Sequence, residues 1–225
     1  RGGTGNDTLD GGAGNDWLDF GDAVLGTASV NVNLTSGVFT STALGSDMVT
    51  NFEHVVGGAG NDTIVGSTAD NWIKGGAGND SIVSGSGNDT LTGGVGNDWL
   101  DGEAGTADWA DYANASGGVT VSLSSATPGA ATTSGADGVD TLRGIENLIG
   151  SNLGDTLTGD GLANVFLGGG GADVADFDLL HPLGSNLGVR GRHPGGRRGV
   201  PEHRPRGGEI GEHTSELQSL TTISY

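Results

Sequence analysis

The sequence repeats itself with a period of nine residues, and this period limits the folds that are open to the chain. From Gly57 the units read GGAGNDTIV, GSTADNWIK, GGAGNDSIV, SGSGNDTLT and GGVGNDWLD, followed by the looser GEAGTADWA. The same frame also begins at Gly2, Gly11, Gly150, Gly159 and Gly168. One apolar residue in nine is too sparse for the buried stripe of a helix, which needs three or four in two turns. The period therefore predicts a stack of short units, each too small to fold alone.

The eighth position of every unit is nonpolar, which predicts that it faces a core. Its occupants are Leu9, Leu18, Ile64, Ile73, Ile82, Leu91, Leu100, Trp109, Leu157, Phe166 and Ala175. A six-residue turn and a three-residue strand account for this spacing, because alternate side chains of a strand point to opposite faces. Glycines in the turn permit positive φ angles. We therefore expect an all-β solenoid.

The acidic composition restricts the partners of such a solenoid. The chain has 225 residues, 47 glycines, no cysteine and a formal charge of −19. This charge repels nucleic acid and anionic membranes and attracts cations. No apolar run approaches the roughly 18 residues that a transmembrane segment needs. We expect metal ions as partners, no nucleic acid and no transmembrane segment, and the oligomeric state stays open.

The hexapeptide GGxGxD, with an aliphatic residue two positions after the aspartate, resembles the RTX nonapeptide of hemolysin-type calcium-binding proteins. Five units carry it in full, at Gly2, Gly11, Gly57, Gly75 and Gly93, and SGSGND differs at one position. The nonapeptide G-G-x-G-x-D-x-U-x is a calcium-binding solenoid repeat. The resemblance covers most of residues 1–178 and implies a right-handed parallel β-roll. Two units would make one turn of this roll, so alternate units would stack on the same edge.

The resemblance also implies that several calcium ions lie between stacked turns, held by aspartate carboxylates and turn carbonyl oxygens. Calcium takes six to eight oxygen ligands in flexible geometry. The carboxylates implied are those of Asp7, Asp16, Asp62, Asp80, Asp89, Asp98, Asp155 and Asp173. The carbonyls implied are those near Gly58, Gly60, Gly76, Gly78, Gly94 and Gly96. Metal binding would supply the ordering free energy that a glycine-rich chain lacks.

The two edges of the central repeats differ in their acidic residues. The first edge has an aspartate in every turn, namely Asp62, Asp80 and Asp98. On the second edge only Asp89 is in place, since Asn71 and Ala107 take the equivalent positions. Asp70 and Asp108 lie one residue out of frame. We expect the first edge to bind calcium more tightly, because an amide oxygen carries no charge and alanine offers no ligand.

Two segments that resemble each other interrupt the repeats. The order is a partial roll (1–19), a first β insert (20–56), a central roll (57–107), a second β insert (108–149) and a further roll (150–178). Each insert contains one alternating apolar strand, Val30/Val32/Leu34 or Val119/Val121/Leu123. Their glutamates, Glu53 and Glu146, could bind calcium, but we favour a solvated strand edge. His54 lacks metal-ligand spacing, which indicates a structural role.

Residues 179–225 differ in composition from the rest of the chain. Six of the nine basic residues and four of the five prolines lie after residue 180. A basic nucleic-acid-binding arm is one interpretation. We favour a frameshift with adapter read-through, because EHTSELQS resembles a translated sequencing adapter, and we expect a disordered, non-native tail. The chain also begins inside a repeat, which indicates a fragment.

These features predict a calcium-binding module with no catalytic activity of its own. The resemblance implies part of a larger secreted bacterial protein, exported unfolded by type I secretion machinery and folded by extracellular calcium. The sequence contains no HExxH or GxSxG motif. A catalytic domain of a metalloprotease, lipase or polysaccharide epimerase could still lie outside these residues, and this enzyme interpretation is the first alternative.

Three further alternatives stay open. The acidic turns could belong to a calcium-free solenoid. A phosphate-binding glycine loop needs a following helix and usually a lysine, and Lys74 is the only lysine. An adhesin or ice-binding surface would need a regular threonine ladder. Outward positions hold Thr8, Thr63, Thr90 and Thr156, but also Trp17, Trp72 and Trp99.

Overall fold

The computed structural model describes residues 2–21, 26–123, 129–133 and 137–177. These residues form strands, turns and bends without any helix, which confirms the all-β expectation. The strands in the first half are β1 (Thr8–Asp10), β2 (Trp17–Asp19), β3 (Val30–Asn33), β4 (Val38–Ser41), β5 (Gly45–Thr50), β6 (His54–Gly58), β7 (Thr63–Ser67), β8 (Trp72–Ala77), β9 (Ser81–Gly85) and β10 (Thr90–Val95). Those in the second half are β11 (Trp99–Asp101), β12 (Trp109–Asp111), β13 (Val119–Ser122), β14 (Gly129–Thr133), β15 (Val139–Arg143), β16 (Asn147–Ile149), β17 (Thr156–Thr158), β18 (Val165–Leu167) and β19 (Val174–Asp176). The predicted tail, 179–225, lies outside the described residues.

The described strands form two sheets, and the chain alternates between them along the repeats. The long sheet has the order β1-β5-β4-β3-β7-β9-β11-β15-β14-β13-β17-β19, and the short sheet has the order β18-β16-β12-β10-β8-β6-β2. In the central repeats all neighbours are parallel, with Ile64 beside Ile82 and Ile82 beside Leu100. Each step along a sheet therefore spans two nonapeptides. This arrangement is consistent with a β-roll in which alternate units stack.

The core lies between the two sheets and is built from the middle residue of each strand triplet. Ile64, Ile73, Ile82, Leu91 and Leu100 are completely buried. Burying one such side chain stabilises a fold by about 1.5–3 kcal/mol. Each unit contributes only one of them, so the core becomes substantial only when several units stack.

Two of the predicted core positions are wrong. Trp109 is only half-buried and lies beside Thr90, whereas Ala110 is completely buried and lies beside Leu91. The unit that starts at Gly102 is one residue longer than the others, and this shifts the inward position. Ala175 is exposed because β19 is the last strand of the long sheet.

Each insert adds three strands to the long sheet, where the sequence pattern predicted one alternating strand. In the first insert, β4 pairs antiparallel with both β3 and β5, while β5 joins β1 and β3 joins β7 in parallel. Strands β13, β14 and β15 repeat this arrangement in the second insert. Phe20 and Phe39 stack under the first insert at 4.3 Å between ring centroids, and both are completely buried.

Candidate metal centre

The turns of the first edge, which lead into strands of the long sheet, carry a continuous ladder of aspartates. The main-chain amide of Asp62 donates to Oδ1 of Asp80 at 2.8 Å, and the amide of Asp80 donates to Oδ1 of Asp98 at 2.8 Å. All three residues are buried, with at most 3% of their surface exposed. The structure therefore stacks these aspartates on one edge, as the two-unit turn predicted. We call this row, with the equivalent row on the second edge, the aspartate ladders.

The second carboxylate oxygen of most ladder aspartates is buried and has no hydrogen-bond partner within the described part of the chain. These orphaned oxygens are Oδ2 of Asp7, Asp16, Asp47, Asp80, Asp89, Asp98 and Asp108. An unpartnered buried carboxylate oxygen is costly, because it has lost water and gained nothing in return. A cation would satisfy these oxygens directly.

Two of the predicted ligands differ from the others in this respect. Oδ2 of Asp62 accepts from the amide of Gly58 at 2.7 Å, and Oδ2 of Asp155 accepts from the amide of Ser151 at 2.8 Å. Their carboxylates are therefore satisfied by the protein itself. At the end of the stack, Asp173 is exposed and its Oδ1 accepts from the amide of Asp155 at 3.1 Å.

The first glycine of each turn leaves room for the aspartate carboxylate, because it has no side chain. A Cβ added to Gly75 would lie 2.2 Å from Oδ2 of Asp80, and one added to Gly93 would lie 2.2 Å from Oδ2 of Asp98. Neither contact is physically possible, so any side chain here would displace the carboxylate. The absent Cβ thus leaves open the space next to the orphaned oxygen.

The glycines at the second and fourth positions of each turn let the turns stack closely enough to place carbonyl oxygens between them. Gly76 has a φ of 124°, and an added Cβ would lie 2.0 Å from the carbonyl oxygen of Gly58. In the next turn, Gly94 has a φ of 115°, and its Cβ would lie 1.9 Å from the Gly76 carbonyl oxygen. The carbonyls of Gly60, Gly78 and Gly96 face Gly78, Gly96 and Gly138 in the same way. Carbonyl oxygens therefore lie in the gaps between stacked turns.

Burial raises the pKa of several central carboxylates above the usual range for aspartate. Desolvation is the main cause and raises the pKa of Asp80 to about 7, with further contributions from the charges of Asp98 and Asp62. Desolvation likewise raises the pKa of Asp108 and of Asp140 to about 7. It also raises the pKa of Asp89 and Asp98. Closely stacked buried carboxylates favour either a proton or a metal ion, because both neutralise charge.

The ladder of the second edge, which leads into the short sheet, includes Asp108, and the expectation that Ala107 takes this position is wrong. The amide of Asn71 donates to Oδ1 of Asp89 at 2.7 Å, and the amide of Asp89 donates to Oδ1 of Asp108 at 2.8 Å. Asp89 and Asp108 are both completely buried. Asp70, which is equally out of frame in the sequence, is exposed and lies outside this ladder.

The glutamates of the inserts take ladder positions, which overturns the interpretation of a solvated strand edge. Oε2 of Glu53 accepts from the amide of Asp16 at 2.9 Å, and Oε2 of Glu146 accepts from the amide of Asp108 at 2.9 Å. Both glutamates are half-buried. Desolvation raises the pKa of Glu146.

Asparagines that replace aspartate on the second edge use their amide group as a donor. Nδ2 of Asn71 donates to the carbonyl oxygen of Glu53 at 2.8 Å, and Nδ2 of Asn164 donates to the carbonyl oxygen of Glu146 at 2.9 Å. Each asparagine therefore holds the end of an insert against the next repeat. A carboxylate could not donate this hydrogen bond.

A second, outer ladder of side-chain oxygens was not predicted from the sequence. Oδ1 of Asn61 accepts from the amide of Asn79, and Oδ1 of Asn79 accepts from the amide of Asn97, both at 2.8 Å. On the second edge, Oδ1 of Asp70 accepts from the amide of Asn88 at 2.8 Å. The asparagine before each aspartate could have indicated this role, since its spacing of two units matches that of the aspartates.

The inserts supply two ladder aspartates that the nonapeptide pattern does not contain. The amide of Asp7 donates to Oδ1 of Asp47 at 2.9 Å, and the amide of Asp98 donates to Oδ1 of Asp140 at 2.9 Å. The sequence signals were their equal spacing to the insert glutamates and the G-x-D-x-U stretch, from Gly45 to Val49 and from Gly138 to Leu142, that surrounds each of them. These two residues continue the first-edge ladder across the joints between repeat and insert.

His54 has the structural role that its surroundings predicted. Its Nδ1 accepts from the amide of Trp72 at 3.0 Å, and its ring lies 4.7 Å from that of Trp17. Arg143 forms an ion pair with Asp101 at 2.9 Å. Neither residue belongs to the aspartate ladders.

The donor set of the ladders fits calcium. Among the described residues, no group of three or more histidine, cysteine, aspartate or glutamate side chains converges on one point. Several gaps instead offer a neighbouring pair of carboxylates, such as Asp80 with Asp98 and Asp89 with Asp108, together with turn carbonyls. Hard oxygen ligands of this kind are those that calcium prefers. Carboxylates such as Asp80, Asp98, Asp89 and Asp108 would hold the ions.

The stacked strands and acidic turn ladders define a β-solenoid repeat protein. A family model of the RTX calcium-binding nonapeptide repeat matches the chain in four copies, over residues 1–23, 56–91 and 84–106. The repeats in these matched residues are therefore RTX, or hemolysin-type, calcium-binding nonapeptides. No curated protein matches the chain significantly. In the described part of the chain there is no helix long and apolar enough to cross a membrane.

Proposed function

We propose that this chain is a calcium-binding repeat module that folds when it binds several calcium ions outside the cell. The observation that carries this proposal is the row of buried carboxylate oxygens, from Asp7 to Asp108, that have no hydrogen-bond partner among the residues that the structure describes. In the absence of a cation, such oxygens would make the stacked turns repel one another. Calcium would neutralise them and join successive coils, which we take to wind right-handed as parallel crossovers almost always do.

The charge balance supports the dependence on metal. Residues 1–180 contain 24 acidic and three basic residues, so their formal charge is −21. With so few cationic side chains, the protein cannot neutralise its own ladders. A glycine-rich backbone adds a large entropic cost of ordering. Metal binding free energy can offset both effects, as in other domains that fold only with metal.

In this proposal the module supports the secretion and stability of a larger secreted protein. Extracellular calcium sites have dissociation constants of about 10⁻⁴–10⁻³ M, so they stay empty where calcium is scarce. The chain would leave the cell unfolded through type I secretion machinery and fold on the outside. The module itself would catalyse no reaction, and any enzymatic activity would belong to another domain.

A regular recognition surface has less support. One outward row of the short sheet changes residue type from strand to strand, and it consists of Trp17, His54, Trp72, Thr90, Trp109, Asn147 and Val165. An ice-binding or adhesive lattice would need similar groups at equal spacing. We therefore rank this alternative below the calcium module.

Far-UV circular dichroism of the full chain tests the proposal. In chelator we expect the spectrum of an unfolded chain, and at millimolar calcium we expect strand content. Magnesium at the same concentration is the control for charge screening, since it demands stricter octahedral geometry and should fold the chain poorly. A strand spectrum in chelator that calcium leaves unchanged would contradict the proposal.

A further inference from the structure

Asp47 lies in the first insert, outside the regular nine-residue frame of the repeats, yet it occupies a ladder position. Strand β5 carries Asp47 and pairs in parallel with β1, so that Met48 lies beside Thr8. The amide of Asp7 donates to Oδ1 of Asp47 at 2.9 Å. Only 5% of the surface of Asp47 is exposed. The insert thus presents a deeply buried carboxylate to the turn at the start of the repeats.

The two carboxylates share one gap. Oδ2 of Asp7 and Oδ2 of Asp47 are both buried and without hydrogen-bond partners in the described part of the chain. A Cβ added to Gly2 would lie 2.5 Å from the first oxygen and 2.9 Å from the second. Both orphaned oxygens therefore border the space that the glycine leaves open.

At the equivalent joint of the second insert, both oxygens of the aspartate carboxylate accept hydrogen bonds from the protein. Oδ1 of Asp140 accepts from the amide of Asp98, and Oδ2 of Asp140 accepts from the hydroxyl of Tyr112 at 3.0 Å. In the first insert, Phe20 takes the sequence position of Tyr112, since DWLDF matches DWADY. Phenylalanine has no hydroxyl, so Phe20 cannot donate to Asp47 as Tyr112 donates to Asp140. One joint has a protein donor where the other has an orphaned oxygen.

We propose that Asp7 and Asp47 hold a divalent cation where the first insert joins the repeats. The nonapeptide pattern does not contain this site, because one of its two carboxylates comes from the insert. Carboxylate oxygens favour calcium, and the site rests on the calcium-binding function proposed above. The ion would fasten β5 to β1, and the first insert would then belong to the metal-dependent stack.

Counting bound ions by native mass spectrometry of the full chain at saturating calcium tests the site. We expect Asp47→Asn to bind one calcium ion fewer than the wild type. The control is Asp10→Asn, which removes the same charge from an exposed residue whose carboxylate bonds to Gly12 and Asn51. We expect the control to bind as many ions as the wild type.

The outcomes separate the two proposals. If the wild type binds no calcium, both the proposed function and this site are wrong. If the wild type binds calcium and Asp47→Asn binds equally many ions, only the site is wrong. If Asp47→Asn does not fold in calcium, the count is taken on Gly2→Ala, which keeps both acids but fills the gap with a methyl group. An unchanged count in Gly2→Ala would then overturn the site.

Discussion

The amide of Asp89 donates a hydrogen bond to Oδ1 of Asp108 at 2.8 Å, across 19 residues, whereas the other steps between neighbouring repeat turns span 18. The extra residue lies in the turn before Asp108, where Glu103 adopts a positive φ of 53°. Both carboxylates are completely buried, and Oδ2 of each has no partner among the described residues. The second edge therefore contains a pair of buried carboxylates that equals the pairs of the first edge.

Replacing Asp108 with asparagine should weaken calcium-induced folding. Asparagine keeps the oxygen that accepts from Asp89 but loses the charge that a cation needs. Loss of a buried charged partner costs about 1–3 kcal/mol, which corresponds to about 5- to 150-fold in affinity. The matched control is Asp70→Asn, because Asp70 is exposed and its Oδ1 accepts from the amide of Asn88 in the outer ladder. Calcium titrations followed by circular dichroism would contradict the placement of Asp108 if both variants shifted the midpoint equally.

Asp80→Asn should weaken calcium-induced folding more than Asp89→Asn. Asp80 lies between two aspartates, Asp62 and Asp98, and so borders two gaps that contain carboxylates. Asp89 has one aspartate neighbour, since Asn71 occupies the other side. The same substitution at both positions removes one charge and keeps one acceptor oxygen. Equal midpoints of the two variants in calcium titration would mean that the gap between Asn71 and Asp89 contributes as much to calcium binding as a gap between two aspartates.

The repeated part of the fold could be predicted because each nonapeptide of the central roll pairs its strand with the strands two units away in the sequence. Because the period of the repeat predicts which strands pair, Asp80 and Asp98 could be assigned to one edge from the sequence. Asp47 could not be assigned, because it reaches Asp7 through strand pairing over 40 residues and through an antiparallel strand that no repeat encodes. Asp108 was misplaced for a different reason. One additional turn residue shifted the frame, and only the paired amide of Asp89 shows which acid enters the ladder.

Gly94→Ala should destabilise the stack far more than Val95→Ala. Gly94 has a φ of 115°, and a Cβ there would lie 1.9 Å from the carbonyl oxygen of Gly76. A side chain at positive φ costs about 1–2 kcal/mol before any clash is counted, and this clash is with backbone that cannot move aside. Val95 is 48% exposed, so its truncation removes little packing. Thermal unfolding in saturating calcium should show a clear loss for Gly94→Ala. A similar melting temperature for both variants would show that the turns do not stack this closely.

Acidification should have opposite effects with and without calcium. Desolvation raises the pKa of Asp80, Asp108 and Asp140 to about 7 in the metal-free fold, above the usual value of about 4 for an unfolded aspartate. Between these values the folded state binds more protons than the unfolded state. The stability of the metal-free fold is therefore greatest below pH 4 as far as these groups are concerned, and it is lost as the pH rises through 7.

In chelator, lowering the pH from about 8 to 5 should accordingly increase the strand content measured by circular dichroism. In calcium, the same change should raise the midpoint calcium concentration, because protons compete with the metal for the same carboxylate oxygens. Asp80→Asn should reduce both responses, since it removes one of the titrating groups. A metal-free chain whose strand content falls or stays constant between pH 8 and 5 would show that the ladder carboxylates are not desolvated in this way.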